Sequence, residues 1–197
     1  MARQDDVVEA LLVQARLAVD RLEPELGLQF YERALKSRPD DVALMCEVAE
    51  VMLQVGNTEV ASQVLNRSIS LSPDQGAEKY LYMGQLHEGL DSLTFYEKGL
   101  QILHRDLLVG DQQEATVAVL KQKLCSAYCS VAELFLTDLC FESDAEGRCQ
   151  AALNRSMEYD CGGPEPLHAM ANLRLSQCNM QEAASCAEEA YKRLATC

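Results

Sequence analysis

The apolar positions of the chain recur with the period of an α-helix. In five stretches, three residues spaced i, i+4 and i+7 share one helix face, and small residues occupy both outer places. The triplets are Gly27, Tyr31, Ala34; Ala61, Leu65, Ser68; Ser92, Tyr96, Gly99; Cys149, Leu153, Ser156; and Ala183, Ala187, Ala190. Because small side chains let two helix backbones approach closely, each triplet predicts the second helix of a tightly packed pair.

The triplets belong to a repeated unit. The string Leu-Asn-Arg-Ser occurs at 65–68 and again at 153–156, each time near the end of a predicted helix. A tetratricopeptide (TPR) repeat has about 34 residues and often a Pro after its second helix, and Pro39 and Pro73 fit that frame. We therefore predict an all-α TPR superhelix (α-solenoid) of about five helical hairpins in a single domain spanning 1–197. The repeats are predicted at 8–41, 42–75, 77–103, 111–163 and 164–197.

The middle of the chain departs from this period. The apolar stripe from Asp111 to Phe135 predicts one long helix, an enlarged first helix of the fourth repeat. The preceding stretch, 104–110, does not continue the repeat frame. We expect it to be an irregular link and the most mobile part of the middle.

The charge balance narrows the class of partner. The chain has 31 Asp and Glu against 17 Lys and Arg, a net charge of −14, and no cluster of basic residues. Since binding to a phosphate backbone needs clustered Lys and Arg, this composition indicates that the chain does not bind nucleic acid directly. An acidic surface favours a basic partner. The alternative, that the surplus acid only keeps the protein in solution, stays open at this stage.

The sequence shows no arrangement of residues typical of catalysis or of a metal site. It has three His and nine Cys, without a Cys-x-x-Cys pair, a His at metal spacing or a Gly-rich phosphate loop. We expect no enzyme activity and no cofactor, although a Cys–His nucleophile pair stays open. The thiols are expected to be reduced and mostly buried, as in cytoplasmic or nuclear proteins. Neither a signal peptide nor a membrane span is expected.

The repeat frame also predicts where a partner binds. The first helix of each TPR hairpin lines the concave side, which solenoids use for extended ligands. The residues predicted to face that side and bind a partner are Glu9, Asp20, Glu50, Gln54, Glu78, Tyr80, Leu81, Gln85, Glu88, Asp138, Glu142 and Asn172, with Arg16 and Ser176 on the same face. Acidic groups predominate, and Arg16 is the single base. Because Tyr is enriched at binding hot spots, Tyr80 and Tyr82 are candidate contact residues. The alternative for either is burial between repeats.

Five stretches point to one family of TPR proteins. They are Lys-Tyr-Leu-Tyr-Met-Gly-Gln-Leu-His-Glu-Gly at 79–89, Tyr-Glu-Lys-Gly at 96–99, Leu-Thr-Asp-Leu-Cys-Phe-Glu at 136–142, Pro-Glu-Pro-Leu at 164–167 and Ala-Asn-Leu-Arg-Leu-Ser-Gln at 171–177. Together they resemble the TPR assembly chaperones dedicated to the large-subunit ribosomal protein uL4. The resemblance runs from about residue 42 to the end, and Thr-Asp-Leu-Cys at 137–140 is its most specific part.

The resemblance implies a function. Such chaperones capture newly made uL4, shield its long basic loop and escort it from the cytoplasm into the nucleus for assembly of the large ribosomal subunit. A disordered basic segment fits an extended acidic host, which agrees with the charge of this chain. We expect a monomer when no partner is bound. The alternative is a structural TPR scaffold subunit of a larger protein complex.

Overall fold

The structure of the protein is a computed structural model that describes residues 2–109, 113–159 and 162–196. Within these ranges the chain forms ten α-helices and no strand. They are α1 (Ala2–Asp20), α2 (Pro24–Ser37), α3 (Val42–Gln54), α4 (Thr58–Leu71), α5 (Glu78–Leu86), α6 (Gly89–Val109), α7 (Glu114–Leu136), α8 (Ala145–Glu158), α9 (Glu165–Ser176) and α10 (Met180–Thr196). The prediction of an all-α fold is confirmed over the described residues.

The contacts divide the chain into two compact units, an N-terminal unit at Met1–Leu86 and a C-terminal unit at His87–Cys197. The boundary falls between α5 and α6, which the repeat frame pairs as one hairpin at 77–103. The single domain of five hairpins therefore stays a prediction.

In the N-terminal unit, consecutive helices pack as hairpins. α1 packs on α2, α3 packs on α4, and α2 and α4 each contact the helix that follows. At Gly27 a methyl group would lie 2.8 Å from Cγ2 of Val19 and 3.1 Å from the carbonyl oxygen of Ala15. The absence of a side chain at Gly27 thus lets α1 and α2 approach closely, as the triplet pattern predicts.

The C-terminal unit is built from α6 to α10. α7 packs on α6 and α8, α10 packs on α9, and α9 also contacts α7 and α8. The first four triplets are buried throughout, whereas the fifth is buried only at Ala183 and Ala190. Its middle residue, Ala187, is exposed, because it lies on the solvent-facing side of α10. The fifth triplet therefore packs through its two outer residues.

The link predicted at 104–110 is helical as far as it is described. α6 continues through His104 to Val109, and Gly110 lies outside the described residues. No Gly or Pro lies between His104 and Val109. The Nε2 of His104 lies 2.7 Å from the hydroxyl of Tyr128 on α7. This tertiary contact, together with the half-buried Leu107, holds the last turns of α6 against the unit. The long helix predicted from Asp111 begins at Glu114, and Asp111 is not described.

Candidate protein-binding clefts

The N-terminal unit has a cleft between α3 and α5, which we call the N-terminal cleft. Its volume is about 660 Å³, in the range of small-ligand and peptide side-chain pockets. The lining carries five carboxylates and neither Lys nor Arg. The carboxylates are those of Asp40, Asp41, Glu47, Glu50 and Glu78.

A hydrogen bond and an ion pair hold Asp41 and Asp40, the two carboxylates at the N-terminal end of α3, in place. Asp41 is the N-cap of α3, and its Oδ1 accepts a hydrogen bond from the backbone N–H of Leu44 at 3.1 Å. Asp40 pairs with Arg67 of α4 at 2.7 Å. The two residues therefore owe their positions to the start of α3 and to its packing partner.

Glu47 connects three helices of the N-terminal unit. Its Oε1 and Oε2 accept hydrogen bonds from the guanidinium of Arg16 on α1 at 2.8 and 3.1 Å. The hydroxyl of Tyr31 on α2 donates to Oε2 at 3.0 Å. Burial and this carboxylate raise the pKa of Tyr31 to about 12. Arg16, the single base predicted on the concave side, is thus neutralised by Glu47.

Glu50 lies one turn further along α3 and is exposed to solvent. The half-buried Tyr82 of α5 lines the same cleft beside this carboxylate. Burial and then the negative charge of Glu50 raise the pKa of Tyr82, so the phenol stays protonated. Glu50 therefore places a carboxylate at the solvent-facing surface of the cleft.

One cation lies behind the lining. Lys79 of α5 is fully buried, and its Nζ donates to the carbonyl oxygen of Ser72 at the end of α4. Burial lowers the pKa of Lys79. Nearby, burial raises the pKa of Cys46, whose sulfur lies 3.8 Å from the hydroxyl of Ser68. The bond of Lys79 holds α5 against the end of α4, whereas Cys46 lies in the lining of the cleft, where its raised pKa favours the neutral thiol.

The C-terminal unit has a smaller cleft between α7 and α9, which we call the C-terminal cleft. Its volume is about 190 Å³, and Glu133, Glu165, His168 and Asn172 contribute polar side chains. The hydroxyl of Ser126 donates to Glu165 at 2.6 Å, which joins the two helices. Like the N-terminal cleft, it lies between helices that the repeat frame identifies as first helices of hairpins.

The predicted partner-binding residues of the N-terminal unit are only partly brought together. Glu50 and Glu78 line the N-terminal cleft. Glu9 and Asp20 are exposed on α1, where Glu9 pairs with Arg38 at 3.0 Å. The remaining members are exposed or half-buried on α3 and α5, without belonging to the cleft lining: Gln54, Leu81 and Gln85.

Tyr80 is buried, which is the alternative to a surface hot spot that the sequence left open. Only 6% of Tyr80 is exposed, and its hydroxyl donates to the carbonyl oxygen of Pro73 at 2.7 Å. It therefore packs inside the N-terminal unit and is not available on the surface as a contact residue. The sequence left the same two alternatives open for Tyr82, and this tyrosine lines the N-terminal cleft.

In the C-terminal unit, Asn172 lines the C-terminal cleft, whereas three acidic residues predicted to face a partner lie in turns. Glu88 lies in the turn before α6, and Asp138 and Glu142 lie in the turn after α7. The Oδ2 of Asp138 accepts a hydrogen bond from the backbone N–H of Gly89 at 3.0 Å, so this side chain stabilises the start of α6. Contact of these three residues with a partner stays a prediction. Ser176, the last residue of α9, donates to the carbonyl oxygen of Leu173 at 2.7 Å.

Sequence reasoning missed part of the N-terminal cleft. Asp40 and Asp41 precede α3, and the prediction counted only residues inside first helices. Glu47 stands three residues before Glu50 and so shares its helix face, a periodicity that could have identified it. The approach of the loop at 72–76 to α3 has no local signal in the sequence.

Neither a metal site nor a membrane span is found in the described part of the chain. Within 2–109, 113–159 and 162–196, no group of three or more His, Cys, Asp or Glu is placed to hold a metal ion. The helices of these ranges are too short or too polar to cross a bilayer.

Comparison with curated proteins gives two fungal relatives, both named as probable assembly chaperones of rpl4. The Schizosaccharomyces pombe protein is 36% identical over 182 residues, which cover 91% of this chain and 49% of the relative. The Emericella nidulans protein is 25% identical over 187 residues, 88% of this chain and 46% of the relative. The chain thus spans about half the length of the curated relatives it matches. No family model matches the chain.

Solved structures confirm the fold class. A structure of residues 1–338 of the RpL4 assembly chaperone Acl4 superposes with a TM-score of 0.76 at 23% identity, covering 94% of this chain and 75% of that one. The type IV pilus biogenesis factor PilW gives a TM-score of 0.68 at 17% identity, over 95% of this chain and 78% of that one. A TPR protein of Thermus thermophilus gives 0.61 at 18% identity, over 94% and 91%.

These likenesses confirm the TPR α-solenoid class predicted from the triplets, and the fungal relatives confirm the resemblance predicted from the five sequence stretches. The chain is a TPR protein that is similar, over nine-tenths of its length, to proteins named as probable assembly chaperones of rpl4.

Proposed function

We propose that this chain is a dedicated chaperone that binds and shields a basic, extended segment of a newly made ribosomal protein. The cargo is the protein that the resemblance gives as uL4 and the relatives' names give as rpl4. The observation that carries the proposal is the N-terminal cleft, where five carboxylates and no Lys or Arg line one opening. Charge of this kind attracts Lys and Arg side chains and steers a basic segment to the surface.

The cleft keeps negative charge for a ligand even though some carboxylates are paired. Glu47 and Asp40 already have Arg16 and Arg67 as partners. Asp41 accepts a hydrogen bond from a backbone N–H, which is an uncharged donor, and Glu50 is exposed to solvent in the cleft lining. A Lys or Arg side chain of the cargo entering between α3 and α5 would meet these carboxylates and the apolar edges of the cleft.

The rest of the proposed role follows from the same cargo. The protein acts by binding, without catalysis or a cofactor, and it neither contacts nucleic acid directly nor inserts into a membrane. It accompanies the cargo from the cytoplasm into the nucleus for assembly of the large ribosomal subunit, and it is a monomer before binding. The relatives' names favour this role over that of a structural scaffold subunit.

Charge reversal in the cleft tests the proposal. Glu50→Lys places a positive charge beside Tyr82, and we expect the affinity for purified rpl4 in isothermal titration calorimetry to fall about tenfold or more. The matched control is Glu32→Lys, which makes the same change of charge at an exposed position of α2 outside the cleft. Equal affinities for the two variants would contradict the proposed binding site, and absence of binding by the unmodified chain would contradict the function.

A further inference from the structure

The turn between α7 and α8, residues 137–144, holds one aromatic side chain entirely in solvent. We call it the Phe141 turn, because Phe141 is 99% exposed. A phenylalanine in water forgoes the stabilisation that burial of its ring would give, roughly 1.5–3 kcal/mol. Its neighbour Leu139, in contrast, is only 4% exposed and anchors the turn in the core.

The backbone of the turn is fixed by hydrogen bonds. The N–H of Leu139 donates to the carbonyl oxygen of Leu134 at 2.8 Å, and the N–H of Glu142 donates to that of Leu139 at 3.0 Å. The carboxylate of Asp138 binds the backbone N–H of Gly89 at the start of α6. A side chain presented on a fixed turn loses little conformational freedom when it binds, which favours its use as an anchor.

The surface around the ring is acidic. The bond between Asp138 and Gly89 brings the segment 88–91 next to the segment 137–146, and neither segment contains Lys or Arg. Together they carry the carboxylates of Glu88, Asp91, Asp138, Glu142, Asp144 and Glu146. A second apolar side chain, Leu90, is 57% exposed on the same segment as Gly89. The surface therefore combines exposed apolar groups with six carboxylates, and the nearest base in the sequence, Arg148 of α8, is paired with Glu97 at 3.7 Å.

We propose that the Phe141 turn is a second docking point for the basic cargo, separate from the two clefts, and that it takes an apolar patch flanked by Lys or Arg. The ring enters the patch, and the flanking carboxylates pair with the basic rim. Aromatic anchors surrounded by groups that exclude water commonly dominate the free energy of binding. The identity of the cargo rests on the proposed function, whereas the chemistry of the patch rests on the turn itself.

Two probes test the docking point: purified rpl4, and an amphipathic peptide of Leu and Lys compared with a peptide in which each Leu is Ser. We expect Phe141→Ala to weaken binding of rpl4 and of the Leu-containing peptide about tenfold, and to change binding of the Ser peptide less than about twofold. Phe141→Tyr, which keeps an aromatic ring, should bind nearly as well as the unmodified chain. Helicity measured by circular dichroism should be the same for all variants, because the side chain makes no core contact.

The matched control is Leu22→Ala. Leu22 is 89% exposed in the turn between α1 and α2. Its sequence neighbours, Arg21 and Glu23, have opposite charges, so Leu22 is not flanked by a surplus of carboxylates. If Leu22→Ala weakens binding as much as Phe141→Ala, or if the Leu and Ser peptides respond equally, the docking point is refuted. Failure of the unmodified chain to bind the Leu-containing peptide refutes it as well. Failure to bind rpl4 alone contradicts the proposed function, while the peptide pair still decides the docking point.

Discussion

Replacement of Asp138 tests whether the most specific part of the resemblance, Thr-Asp-Leu-Cys at 137–140, serves the fold. The carboxylate of Asp138 accepts a hydrogen bond from the backbone N–H of Gly89, a residue 49 positions away in the sequence. Gly89 begins α6, a helix of 21 residues whose first N–H groups have no partner inside the helix. Asp138→Ala removes this partner, and Asp138→Asn keeps an acceptor oxygen but removes the charge.

The expected size of each effect follows from two contributions. Loss of a capping side chain costs roughly 0.5–2 kcal/mol, and loss of a negative charge at a helix N-terminus costs roughly 0.3–1 kcal/mol. Because Asp138 is exposed to solvent, we expect values near the middle or lower end of both ranges. The free energy of unfolding should fall by about 1 kcal/mol in Asp138→Ala and by about 0.5 kcal/mol in Asp138→Asn.

Urea unfolding and amide hydrogen exchange measure these effects. With a dependence on urea of about 2–3 kcal/mol per molar, the midpoint of Asp138→Ala should fall by roughly 0.3–0.5 M, and the amide of Gly89 should exchange faster. Glu142→Ala is the matched control, because Glu142 is an exposed acidic residue of the same turn. The structural role is refuted if Asp138→Ala behaves like Glu142→Ala, or if Asp138→Asn loses as much stability as Asp138→Ala.

Two further predictions concern titratable groups. Burial lowers the pKa of His104 below its ordinary value, so the unfolded chain takes up this proton first as the pH falls; the free energy of unfolding should therefore decrease from about pH 7 to about pH 5.5. Urea unfolding across that pH range should show that the free energy of unfolding depends less on pH in His104→Gln than in the unmodified chain. The same pH dependence in both would contradict the role given to His104. Burial also raises the pKa of Cys129 to about 12 and that of Cys149 to about 11, which suppresses the reactive thiolate. Brief alkylation read by mass spectrometry should label the exposed Cys140 and Cys178 before Cys129 and Cys149, and rapid labelling of Cys129 would instead favour a thiol-dependent activity.

The helical framework was predictable because packing leaves a local trace. Leu65 and Leu153 are each fully buried between small residues, as the i, i+4, i+7 pattern requires. The exposure of Ala187 could not be read from the pattern, since an apolar position at helical spacing does not reveal whether another helix covers that face. The pattern also gave no reason to extend α6 to Val109, because a contact with Tyr128 on another helix stabilises its last turns.

The candidate site was less predictable than the fold. Glu50 and Glu78 were found because they lie on first helices, but the cleft also depends on Asp40, in front of a helix, and on a loop that returns to α3. Asp138 was predicted as a partner-binding residue, and no signal in the sequence indicated that its side chain also caps α6. In each case the deciding contact joins residues far apart in sequence, which local periodicity cannot identify.

The affinity of the unmodified chain for purified rpl4, measured as a function of salt concentration, tests the central claim most directly. Attraction between an acidic cleft and a basic segment weakens as salt screens both charges. We expect binding at micromolar affinity or tighter in low salt, with progressive loss as salt is raised. Absence of binding in low salt, or an affinity that salt leaves unchanged, would contradict the account.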